Sequence, residues 1–139
     1  MMTANCPPGM RVLGWIMNIL LWIIQSLLSL LFLLAGVTKF IMSVADMNKN
    51  GPVVFPGWFL HFIGACEILG AIGLILPVLL RIKPGLTPLA AAGLGIITLG
   101  AAVISARAGI LMAIFPSVIC LLSFLVAWGR WRLLPARAK

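Results

Sequence analysis

Two acidic residues occur in 139, Asp46 and Glu67, and Glu67 stands inside the apolar run Phe62-Ile-Gly-Ala-Cys-Glu-Ile-Leu-Gly-Ala-Ile-Gly-Leu-Ile-Leu76. A carboxylate at the middle of a membrane helix costs roughly 2.5–3.5 kcal/mol on insertion scales. Such a group faces a bundle interior, pairs with a cation, or is held protonated. Lys39 is its first candidate partner and Arg107 its second, with Ser105 able to add a hydrogen bond. Gln25, on the same face of its helix as Lys39, and His61, the chain's single histidine, complete the ligand-binding candidates. The arrangement reads as a structural ion pair, or as a ligand or proton site.

Other chemistry finds no foothold in these residue types. Cys6, Cys66 and Cys120 form no Cys-x-x-Cys pair and have no His or Cys at metal-ligand spacing, so no metal site is expected. Tyrosine is absent, and there is no phosphate-binding glycine loop, haem motif, or Ser-His-acid set with a second suitable acid. The chain is therefore not expected to be an enzyme on its own. No cofactor is evident, and any redox chemistry would need a bound quinone or a partner protein.

Composition names the solvent. The chain is 63% hydrophobic and 9% charged, against about 25% charged residues in a soluble domain. An integral membrane protein follows, with the lipid bilayer as its main partner. The net charge of +8 does not point to nucleic acid, because the cations flank apolar segments instead of gathering on one basic face.

Four apolar segments can position the candidates: residues 12–42, 58–80, 88–106 and 110–128, in one domain spanning 1–139. The expected fold is all-α, a transmembrane four-helix bundle. Met1 to Met10, with its Pro-Pro-Gly, reads as a disordered cap. The first helix exceeds the roughly 20 residues a bilayer needs, so it tilts or projects. Asn18, Gln25, Ser29, Gly36 and Lys39 share one face of it, which is either a packing seam or the wall of a polar cavity. Gly64, Gly70 and Ala71 surround Glu67 with small residues. His61 lies about 120° round that helix from Glu67 by the 3.6-residue period; beside Trp58 and Phe59 it reads as an interfacial residue or a proton relay.

Ala91, Gly95, Thr98, Ala102 and Ser105 recur at helical spacing, as do Ala113, Pro116, Cys120, Ser123 and Ala127. Both stripes read as packing faces. Ser43 to Gly57 is the one long connection; its Val53, Val54 and Phe55 suit the membrane surface or a bundle mouth. The tail from Gly129, with Trp128 and Trp131 beside its cations, reads as an anchor to anionic headgroups.

Four spans put both termini on one side with Arg11, Arg81, Lys83, Arg130, Arg132, Arg137 and Lys139; Lys39, Lys49 and Arg107 fall on the other. The positive-inside rule places the termini in the cytoplasm and the long connection outside the plasma (inner) membrane.

Leu34-Ala-Gly-Val-Thr-Lys-Phe40, Phe62 through Pro77, Leu86-Thr-Pro-Leu-Ala-Ala-Ala-Gly93 and Trp128-Gly-Arg-Trp131 resemble the DoxX-like family of small four-helix membrane proteins. Lys39 and Glu67 match that family's recurring charged positions. Some members are membrane subunits associated with quinone-linked sulfur oxidation or redox-stress complexes, and distant eukaryotic ones assist receptor assembly. Many carry His near the end of the third helix, where this chain has Ser105, so no role of that His transfers here. The resemblance implies an accessory or redox-complex subunit, a non-catalytic partner of a quinone-linked oxidoreductase, with a polar pocket at Lys39 and Glu67 for a quinone or lipid. Its partners would be a membrane or peripheral redox protein, or a second copy in a homo-oligomer. The alternatives are a proton-coupled small-molecule transporter and a membrane chaperone or structural protein. Small multidrug exporters carry their acid in the first helix, whereas this chain carries it in the second.

Overall fold

The computed structural model describes residues 7–49, 51–83 and 85–133 and is all-α. Its elements are α1 (Pro8–Ile41), α2 (Val44–Lys49), α3 (Gly57–Leu79), α4 (Leu86–Ala108) and α5 (Ile110–Leu133). The four long helices form a ring in which α1 packs on α3, α3 on α4, α4 on α5, and α5 returns to α1. Each is long and apolar enough to cross a membrane. The outward faces are leucine, isoleucine, phenylalanine and tryptophan, such as Leu30, Leu69, Leu89 and Leu121, all well exposed. Only lipid accommodates such a surface, so this is a multi-pass membrane protein.

The helix limits follow local chemistry. Proline opens α1 at its first turn, where a missing N–H costs nothing. That start falls earlier than the unstructured reading of residues 8–10 allowed; residues 1–6 of that reading lie outside the described residues. Gly109 alone separates α4 from α5, at a φ of +149° that residues with a Cβ rarely adopt. This one-residue turn holds α4 and α5 as a tight hairpin. At the other end α5 runs past Trp128 to Leu133.

A core of Leu21, Leu28, Phe32, Ala71, Leu74, Ala91, Leu94, Ile119 and Val126 fills the ring. Beside it the polar face of α1 forms a seam with α3. The Gln25 amide donates to the Leu74 carbonyl, and Ser29 Oγ donates to the Ala71 carbonyl at 2.8 Å. In lipid a buried donor must find an acceptor inside the protein, and an occupied helical carbonyl can take a second bond. Farther along, Gly36 and Gly64 let the two backbones meet. Of the two readings of this face, the seam holds for Gln25, Ser29 and Gly36.

Candidate functional site

The close crossing of α1 and α3 sets up the charged pair. One turn beyond Gly36, Lys39 Nζ donates to Glu67 Oε2 at 2.7 Å and to the Ala35 carbonyl at 3.3 Å. Glu67 is 7% exposed, and the Lys39 side chain is about a fifth exposed. Burying the acid is tolerable because its charge is answered within a hydrogen bond's length. Among the described residues Glu67 Oε1 accepts no hydrogen bond, and the ammonium, with three donors, uses two of them.

The pair lies in the wall of a cavity of about 830 Å³, large enough for a drug-sized ligand. Its origin lies in how α3 and α4 diverge. Gly70 sits directly against Leu94, and Gly73 against Ala90, which draws the helices together near their α3–α4 turn. Toward the opposite end they part, leaving Ile63, Cys66, Ile97 and Ile104 around an open space. Phe62, Ile96 and Gly100 also line it and are exposed on the outer face of the helices, so the cavity borders the lipid-facing surface. The lining is mostly apolar; Lys39, Glu67 and Asp46 are its charged residues, and Thr38, Asn48 and Ser105 add uncharged polar groups.

The connection from α1 to α3 crosses the mouth as a strap. Ser43 precedes α2 as its N-cap, accepting from the Asp46 N–H at 3.2 Å and donating its hydroxyl to Asp46 Oδ2 at 2.6 Å. Lys49 Nζ reaches Asp46 Oδ1 at 2.6 Å. Lys49, and then Ser43, hold the Asp46 carboxyl below its ordinary value of 3.8. Asn48 ties the strap shut: its amide nitrogen donates to the Phe55 carbonyl at 2.9 Å, and its oxygen accepts from the Phe55 N–H at 3.0 Å. Val53 and Phe55 line the cavity while Val54 points outward, so this apolar stretch folds over the bundle mouth.

The other candidates fall in different places. Ser105 joins Lys39 and Glu67 on the cavity wall. Arg107 is exposed in the last turn of α4, outside the cavity lining, with no ion pair recorded among the described residues. His61 also lies outside the lining, its ring 5.2 Å from that of Phe40. Gln25 belongs to a separate cluster near the chain's termini.

That cluster centres on Arg130, which is 7% exposed. Its Nε donates to Gln25 Oε1 at 2.9 Å and its Nη1 to Asn18 Oδ1 at 3.0 Å, while the guanidinium lies 5.4 Å from the Trp22 ring. The expected headgroup anchor thus divides. Trp128, Trp131 and Arg132 are outside, with Arg132 stacked 4.8 Å from the Trp128 ring, but Arg130 turns into the bundle. Arg137 and Lys139 of that tail lie outside the described residues. The signal was periodic: Ile119, Ser123, Val126 and Arg130 stand at i, i+4, i+7 and i+11, and all four are buried.

No curated protein and no solved structure matches the chain. The family model described as the DoxX-like family matches residues 23–127, a span that holds Lys39, the strap, Glu67 and Ser105. With three quarters of its length under that model, four membrane-spanning helices and the charged pair between the first two of them, the chain belongs to the DoxX-like family.

Proposed function

We propose that this protein is a non-catalytic accessory subunit of a plasma-membrane redox complex, and that it holds a quinone or lipid in the cavity beside Lys39 and Glu67. The reading rests on one observation: a buried ion pair stands in the wall of a mostly apolar cavity that borders the lipid-facing surface. A membrane-soluble amphiphile enters such a site without crossing water, and the pair supplies its polar contact. Lys39, Glu67 and Ser105 are the contact residues; Arg107, His61 and Gln25 take no direct part. The termini face the cytoplasm, following the excess of cations on their side.

Mild extraction from native membranes, with mass spectrometry of bound small molecules and proteins, tests the proposal. The expected result is a quinone or lipid at defined stoichiometry together with a redox partner. Gly100→Leu should lose the small molecule, because Gly100 lines the cavity and a Cβ there meets nothing within 4 Å. Native protein that carries neither ligand nor partner would overturn the reading.

A further inference from the structure

The chemistry of the cavity wall narrows the ligand class. The Lys39 charge is matched by Glu67 at 2.7 Å, so the pair presents no net charge. Asp46, the remaining charged group on the lining, is matched by Lys49 at 2.6 Å. An anionic headgroup would have to displace the Glu67 carboxylate or sit beside it unpaired, and like charges in a weakly screening site repel strongly. What the pair leaves open is hydrogen-bonding capacity. Lys39 retains one N–H, and Glu67 Oε1 accepts nothing among the described residues.

From this we infer that the site selects an uncharged amphiphile whose head carries a hydroxyl or carbonyl group, and that it rejects anionic amphiphiles with the same tail. The inference rests on the proposed ligand-binding role of the cavity. The head lies against Lys39 and Glu67, and the tail leaves past Phe62 and Ile96 toward the lipid-facing surface. An acceptor on the head takes the free ammonium N–H, and a hydroxyl donates to Glu67 Oε1. Selectivity here comes from the penalty on the wrong partner as much as from attraction to the right one.

Cys66 supplies the readout, because it lines the cavity and is only partly buried. The full-length protein in maltoside micelles is treated with N-ethylmaleimide in the presence of oleyl alcohol or oleyl sulfate, which share a tail and differ in head charge. Modification of Cys66 is followed by peptide mass spectrometry. At tenfold excess over its Kd the alcohol should slow labelling by about tenfold, and the sulfate should leave it unchanged. In Glu67→Gln, where the Lys39 charge is unmatched, the preference should reverse toward the sulfate. Equal or better protection of the wild type by the sulfate overturns the neutral-head inference while leaving ligand binding intact. Protection by neither probe overturns both.

Discussion

Gly36 of α1 and Gly64 of α3 face each other so closely that a Cβ on Gly36 would lie 2.8 Å from the Gly64 carbonyl oxygen. That contact lets Lys39 reach an acid on a neighbouring helix, since the pair forms one turn away along each helix. The charged site is therefore a consequence of backbone packing. Any residue that separates α1 from α3 also separates ammonium from carboxylate.

Gly36→Ala should destabilise the protein by about 1–3 kcal/mol, the usual cost of overpacking, because its new methyl meets backbone atoms that cannot rotate away. Gly14→Ala is the control. A Cβ there meets nothing within 4 Å, and replacing a helical glycine gains about 0.5–1 kcal/mol. Melting in detergent checks both, and equal melting temperatures for the two variants would refute the tight crossing.

Removing one member of the Lys39–Glu67 pair should hurt more than removing both. Lys39→Met leaves a buried carboxylate unanswered, and Glu67→Leu leaves an ammonium against apolar walls. The double variant should melt closer to wild type than either single. If the destabilisations simply add, the two side chains do not interact.

Arg130 should show strong coupling to Gln25. Hydrogen bonds to a charged group contribute about 1.5–3 kcal/mol each, and Arg130 makes one of them to Gln25. A double-mutant cycle with Gln25→Leu and Arg130→Met should return a coupling of about 1–3 kcal/mol. Arg130→Lys should not restore stability, because an ammonium cannot span Gln25 and Asn18 as the guanidinium fork does.

Thr87 makes the opposite case. It is fully buried, and its hydroxyl has no hydrogen-bond partner among the described residues. Thr87→Val keeps the shape and removes a desolvated polar group, so it should stabilise by about 1 kcal/mol. A loss of stability on the same scale would mean the hydroxyl is satisfied.

The strap responds to acid in a defined direction. The Asp46 carboxyl titrates below its ordinary value of 3.8 because Lys49 and Ser43 favour its charged form. Its contribution to α2 is complete above that ordinary value and disappears as pH falls through the lowered one. Carboxyl-carbon NMR should place the Asp46 midpoint below 3.8, and Lys49→Met should move it upward. A midpoint at or above 3.8 would mean that Lys49 and Ser43 do not hold the carboxylate in its charged form.

What the sequence alone determined is what lipid dictates: four helices, outward apolar faces, and small or polar residues turned inward. A 3.6-residue period against an apolar solvent leaves few alternatives, which is why Ala91, Gly95, Thr98 and Ala102 are buried as a packing face, while Ser105 at the end of the same stripe is only half-buried, on the cavity wall. Lys39 and Glu67 were also legible as partners, being a rare acid and a cation near the same bundle end. Tertiary structure decided the rest. Whether a polar residue on an inward face becomes seam or site depends on the distance to the next helix, and distance is absent from periodicity. Gln25 and Lys39 share a face of α1, yet Gln25 meets the Leu74 carbonyl where α3 lies close, and Lys39 borders a cavity where α3 and α4 part. Arg130 and Arg132 are both cations near the chain's end, but two residues are about 200° on a helix, so one turns inward to Asn18 and Gln25 and the other outward.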